Sequence, residues 1–230
     1  MPAIEKRKQP QTSGVAYSAW HAALDAAALL LFTAGVIYLL IDTLAARNIP
    51  GGIVLLVIAL TAYLAADLVS GIVHFLADNF GNAETPLVGR MFVFPFREHH
   101  NDPLAITRHS FLETNGASCL VALPLLFATI AFTDGAEQAA LRLWIFSFLL
   151  AVFFTNQIHK WAHMVNPPRA VRFLQSCRLI LSPRSHAIHH TAPHDSYYCI
   201  TAGWLNLPLA RSGVFSHIAR LLGKDHDRKQ

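Results

Sequence analysis

Four apolar stretches, roughly Ala22–Ile41, Gly52–Ala77, Gly116–Phe132 and Leu141–Ile158, limit what this chain can fold into more than anything else in it. Each approaches the roughly 20 residues with which an α-helix crosses about 30 Å of hydrocarbon. Inside a bilayer every backbone N–H and C=O must be satisfied within the protein, so such stretches are expected to be helical. Composition agrees: 53% of residues are hydrophobic and 14% charged, with a mean hydropathy of +0.39, against about 25% charge in a soluble domain. The expectation is an all-α integral membrane protein with about four transmembrane helices. The first stretch starts too late, and lacks a small-residue cleavage site, to be a signal peptide. It reads as a retained helix.

Lysine and arginine placement gives the expected orientation. Lys6, Arg7 and Lys8 precede the first stretch, Arg90, Arg97 and Arg108 lie between the second and third, and a basic tail follows the fourth. The other two connections hold Arg47 and, at its edge, Arg142. The positive-inside rule then places both termini and the long middle loop in the cytoplasm. That means the inner membrane in a bacterium or the endoplasmic reticulum in a eukaryote. The chain divides into a mobile cytoplasmic N-terminus (1–20), a single membrane domain (21–215) and a basic C-terminal tail (216–230). A net charge of +4 suits contact with anionic lipid. No basic patch on a soluble module points to nucleic acid. Cys119, Cys177 and Cys199 are scattered and odd in number, which suggests neither a disulfide framework nor a thiolate zinc site.

Most of the thirteen histidines gather at or beside the ends of the apolar stretches. They occur as His74 with Asp78 in HFLAD, His99 and His100 in FREHH, His159 and His163 in HKWAH, and His186, His189 and His190 in HAIHH. Residues three or four apart share a helix face, so three of these clusters can each aim two side chains at one ion. His99 and His100 are adjacent and on a helix diverge by about 100°, which suits two ions, or one ligand and one supporting group. Pro183, capped by Ser182, is expected to start the helix that carries HAIHH. Residues 79–115 read as a proline- and glycine-punctuated loop, and an amphipathic segment near Val171–Leu181 is expected on the membrane surface. Eight histidines and a carboxylate exceed the four ligands of a single zinc site and match two ions. Imidazole suits Zn, Fe, Cu and Ni alike, so ligand type does not choose the metal.

A single histidine pair near a membrane boundary is more often interfacial packing. Four such clusters on one expected side of the membrane are better explained by a metal centre. His21, His217 and His226 stand alone and read as surface residues. His109 and His194 are candidates to support the ligands or simply to lie in loops. Asp67 is expected to hydrogen-bond a liganding imidazole, and Asn156, one turn before His159, to hold a water or a ligand. Arg97, Arg108 and Arg184 are the candidate contacts for a lipid headgroup.

The segments SGIVHFLADNFG, FREHHNDPLAITRHSFLETNG, HKWAH and SPRSHAIHHTAPHDSYYCITAGWLN, in that order, resemble the plasmanylethanolamine desaturase family of Kua-like and CarF-like lipid desaturases. That family is related to a plant plastid desaturase acting on phosphatidylglycerol. The likeness covers about residues 60–207. It implies conversion of an alkyl ether phospholipid to its vinyl ether, with O2 as cosubstrate and two iron ions. The implied ligands are His74, His99, His100, His159, His163, His186, His189 and His190, with Asp78 close by. Phe96 stands where the acyl-CoA desaturases carry the first histidine of HxxHH, and HFLAD lacks their second histidine, so acyl-CoA chemistry is disfavoured.

The chemistry suits the ligands. Removing hydrogen from an unactivated C–H bond demands a strong oxidant, two irons can supply electrons to cleave O–O, and an all-histidine shell tolerates both Fe(II) and Fe(III). No haem or ferredoxin motif occurs in the chain, so an external electron donor, cytochrome b5-like or ferredoxin-like, is implied. An acyl-lipid desaturase or a lipid hydroxylase would share this chemistry. A metal transporter or sensor would want polar residues through the middle of several spans, whereas here the ligands stay at one end. A histidine pH switch does not call for paired chelating geometry.

Overall fold

A computed structural model describes residues 17–86 and 88–223. Most of the expected mobile N-terminus (1–16) and the last part of the expected basic tail (224–230) lie outside these residues. Four long helices carry the apolar stretches: α1 (Ala19–Ala45), α2 (Gly52–Asn79), α5 (Phe111–Phe132) and α6 (Ala139–His163). All four are long and apolar enough to span a bilayer. Six shorter helices follow or intervene: α3 (Phe94–Asn101), α4 (Ala105–Arg108), α7 (Arg169–Ser176), α8 (Pro183–His189), α9 (Asn206–Ser212) and α10 (Val214–Leu221). No strand occurs among the described residues.

Helix α6 is the hub. It packs on α2 along one side and on α5 and α1 along the other, while α1 lies against α5. Phe32 and Leu39 of α1, Leu126 of α5 and Leu149 of α6 form the buried seam. Leucines on the outer faces, such as Leu30 and Leu56, remain exposed, as expected of surfaces meeting lipid. The phenylalanine run of α6 is less uniformly outward than its composition suggests, because Phe146, Phe148 and Phe153 pack against the seam. Polar signals set the helix starts. Ser18 accepts from His21 N to cap α1, and Ser110 and Glu113 form a capping box on α5.

The middle region, read from its prolines as a loop, is largely helical. A π-helical turn over Gly89–Val93 leads into α3, with Pro95 in the first turn. There the missing N–H costs nothing. FREHH therefore lies on a helix. Helix α8 starts at Pro183 with Ser182 accepting from Ser185 N, as its sequence predicts. The segment assigned to a tail begins as α10, whose Phe215 and Ala219 pack on Phe75 of α2 and on Tyr198.

One face of α2 is fastened to the segment 198–205. Asp67 is wholly buried and accepts from the backbone N–H groups of Ala202 (2.8 Å), Gly203 (2.9 Å) and Leu205 (3.2 Å). One turn on, Ser70 Oγ accepts from Ile200 N at 3.0 Å. Next to it Gly71 admits Cys199, since a Cβ there would stand 2.6 Å from the Cys199 Sγ. One further turn along, His74 Nδ1 donates to Tyr198 O at 3.0 Å. Asp67 thus anchors backbone, and does not contact an imidazole as its position in the helix suggested.

Candidate metal centre

The fastening of α2 and the α3 and α8 helices bring the histidine clusters to one end of the bundle. All nine sequence candidates fall into two groups of side chains whose ligand atoms lie within 4.8 Å of one another. One group is His99, His159, His163, His186 and His190; the other is His74, Asp78, His100 and His189. Adjacent His99 and His100 go to different groups. So do His189 and its neighbours His186 and His190.

Hydrogen bonds fix which nitrogen faces inward. His74 Nδ1 donates to Tyr198 O, His99 Nδ1 to Pro95 O (3.1 Å) and His189 Nδ1 to Ser196 O (2.8 Å). A neutral imidazole has a single N–H, so each of these rings turns an Nε2 lone pair into the site. Backbone carbonyls holding the outer nitrogen are the usual support of a metal-bound histidine.

The inward atoms then conflict. His74 Nε2 lies 3.3 Å, and His189 Nε2 3.4 Å, from Asp78 Oδ2, so lone pair faces carboxylate oxygen. In the larger group, the Nε2 atoms of His159, His163 and His186 form a triangle with sides of 2.9, 3.3 and 2.8 Å. Each Nε2 carries either a hydrogen or a lone pair. Two corners of any triangle must therefore share a state, and no choice of tautomers satisfies all three sides. His190 Nε2 adds a fourth contact, 3.0 Å from His186 Nε2. His99 Nε2, His74 Nε2 and Asp78 Oδ1 are buried with no hydrogen-bond partner. Buried polar atoms are ordinarily satisfied. A metal ion in each group would give these lone pairs a common partner, because imidazole nitrogens and carboxylate oxygens are its ordinary ligands.

Burial keeps the rings in the ligating form. It pushes His99 and His186 well below the usual imidazole range, with neighbouring histidines adding to the effect. His190 is pushed down to about 2 by burial and then by His99 and His163. Tyr198, whose carbonyl holds His74, is pushed up to about 12 by burial and stays a neutral hydroxyl.

The remaining candidates sit nearby in other roles. His194 Nδ1 donates to His189 O at 3.0 Å, and its ring packs 4.9 Å from that of His100, outside both groups. Asn156 Nδ2 donates to Ser118 Oγ at 2.9 Å, not to a ligand. Arg97 donates to Ala77 O and Phe80 O at the C-terminal end of α2, where helix carbonyls need partners. Arg108 pairs with Asp102, and Arg184 is exposed. His109 stands beside a cavity of about 340 Å3 whose wall also includes Tyr17, Asp25, Arg90, Glu98 and Glu113. Arg90 figured in the sequence only as a marker of orientation, and the other four drew no attention. The available signals were weak: Asp25 is an acid within an apolar run, and Glu98 directly precedes His99.

The lipid desaturase domain family matches residues 63–228, a span that takes in both groups. The chain belongs to this family. Among curated proteins, this lipid desaturase is 43% identical over 231 residues to the plasmanylethanolamine desaturase of Myxococcus xanthus, covering 95% of the chain and 79% of that protein. It is 48% identical over 166 residues to plasmanylethanolamine desaturase 1 of Mus musculus, over 69% of the chain and 61% of the relative. Fatty acid desaturase 4, chloroplastic, of Arabidopsis thaliana is 36% identical over 157 residues, covering 66% of the chain and 47% of the plant protein. No solved structure matches this lipid desaturase.

Proposed function

We propose that this lipid desaturase holds two iron ions, one in each group, and converts an alkyl ether ethanolamine phospholipid to its vinyl ether in an O2-dependent reaction. The observation that carries the reading is the set of inward lone pairs with no hydrogen-bonded solution, arranged as two adjoining ligand groups of five and four. Two bound irons would supply the redox chemistry in which O2, two hydrogens from the lipid, two external electrons and two protons become two waters. The residues supply position. His99, His159, His163, His186 and His190 hold one ion, and His74, Asp78, His100 and His189 the other. Tyr198, Pro95 and Ser196 carbonyls orient three of the rings, and the buried setting excludes bulk water from the oxidant. The ether oxygen makes the adjoining carbon the easier one to oxidise, so the outcome depends on which carbon is presented to the site.

The electrons come from a separate carrier, cytochrome b5-like or ferredoxin-like. Both termini and the metal end face the cytoplasm, a reading supported by the Lys/Arg bias of the connections. The deciding experiment expresses the chain in a host that contains alkyl ether phospholipids but makes no vinyl ethers, followed by lipid mass spectrometry. Acid-labile products two mass units lighter are expected, and iron analysis should give about two ions per chain. A new acyl double bond without acid-labile lipid would instead align the activity with the plant relative. A single tightly held zinc in fully active protein would sink the di-iron assignment.

A further inference from the structure

The cavity of about 340 Å3 includes His99 and His159 in its wall. His99 is 1% exposed and belongs with His159 to the five-histidine group, so the inner wall of the cavity is shared with that group. The volume falls in the roughly 300–1,000 Å3 range of small-molecule sites, enough for the glycerol and headgroup of a phospholipid with the chains leaving along the helices. The wall is chemically divided. Met91, Phe92 and Phe94 make an apolar side, while Arg90, Glu98 and Glu113 bring charge.

These charges are not spent on each other. Arg90 is exposed and forms no ion pair among the described residues. Glu98 Oε2 is 3.6 Å, and Glu113 Oε1 4.0 Å, from His109 Nε2, both beyond hydrogen-bond length. The other Glu113 oxygen accepts from Ser110 N. Each glutamate therefore keeps acceptor capacity for a cation. Asp25 sits deeper, 5% exposed, with its Oδ2 accepting the Tyr17 hydroxyl.

We propose that this cavity seats the lipid headgroup and selects a zwitterion ending in a primary ammonium, with Arg90 on the phosphodiester and Glu98 and Glu113 on the ammonium. The assignment deepens the desaturase reading above and rests on it. A primary ammonium offers three N–H donors to two half-satisfied carboxylates. A trimethylated headgroup offers none, and would cover the carboxylates without hydrogen bonds, which is costly. A headgroup lacking nitrogen would leave the two carboxylates without a cation. Fixing the headgroup here directs the glycerol, and the ether carbon beyond it, toward the wall formed by His99 and His159. The headgroup contact thus falls on Arg90 and two glutamates, and not on Arg97 or Arg108, whose guanidinium groups are engaged elsewhere.

The test compares wild type, the double variant Glu98→Gln/Glu113→Gln, and Arg90→Gln, reconstituted in vesicles with ether lipids bearing ethanolamine, choline or no nitrogen base. Glutamine can still serve the α5 capping box, and iron content with gel filtration checks folding. The double variant should raise KM for the ethanolamine lipid about 10- to 100-fold, the loss expected for charged hydrogen bonds. It should also lose its preference over choline, with a much smaller effect on kcat. Arg90→Gln should weaken all three lipids alike. Native mass spectrometry of metal-free protein gives a second readout, in which only wild type should retain ethanolamine lipid selectively. Unchanged headgroup preference in the double variant, by both readouts, overturns the assignment. Selective retention by a wild type that makes no vinyl ether would uphold the headgroup site while defeating the proposed reaction.

Discussion

At the end of the bundle away from the histidines, Arg142 is 2% exposed, yet its whole guanidinium is engaged. Nε donates to Thr43 Oγ1 at 2.9 Å, Nη1 to Thr133 O at 3.0 Å and Nη2 to Asp42 Oδ2 at 2.6 Å. At the histidine end the polar atoms are buried as deeply, but several lack partners and others face atoms of the same kind. A charge buried for structure arrives with its counterparts, because leaving one unpaired costs several kcal/mol or so. The contrast separates a tether, joining α1, the end of α5 and α6, from two groups of side chains that could each hold a metal ion.

The largest expected effect tests the histidine side. His186→Ala removes the corner shared by most short contacts of the five-histidine group, and should cut vinyl ether formation by at least about 100-fold, beyond what loss of a supporting group costs. Iron should fall by about one ion per chain while the protein remains in the membrane. Retained iron and activity would erase the distinction between the two ends. Arg142→Met tests the tether. It should lower stability by about 2–3 kcal/mol, less than a wholly buried pair because Asp42 is 43% exposed, with iron per folded chain unchanged. Thermal unfolding in detergent, read beside metal analysis, checks both halves.

A smaller effect concerns acid. In metal-free protein His99, His186 and His190 are held neutral by burial. The unfolded chain, with ordinary imidazoles near about 6.5, then binds more protons between that value and the depressed folded values. Stability from these groups is complete above about pH 6.5 and is lost as pH falls below it. The melting temperature of metal-free protein should drop from pH 7 to pH 5, and less so in His190→Gln. A flat profile would mean these rings are not buried neutral. Last, His217→Ala, exposed on α10, should stay within about 0.5 kcal/mol of wild type and keep full activity.

The spans and the grouping of the histidines were legible because both depend on local spacing: apolar length, and histidines three or four residues apart. What escaped depends on partners far along the chain or on chemistry that looks ordinary in sequence. Asp67 bonds to backbone 135 to 138 residues later, and nothing near it announces that. Pro95 marks a first helical turn as readily as a loop, so α3 was read as irregular. Glu98 and Glu113 look like solvated charges until the fold places them on one cavity. Arg97 was read as a headgroup contact, since the need of the α2 terminus for donors becomes visible only once that helix is seen to end beside it.

Helix α8 is seven residues long, yet it supplies His186 and, just past its end, His190 to one group, and His189 to the other; α3 does the same with His99 and His100. Two short rods thus act as crossbars between the ligand sets. The adjacency of the sets is written within single turns of these two rods, where backbone hydrogen bonds hold it. The long helices take sides, with His74 and Asp78 of α2 in one set and His159 and His163 of α6 in the other, so sliding of α2 past α6 as bilayer thickness changes would pull against both crossbars.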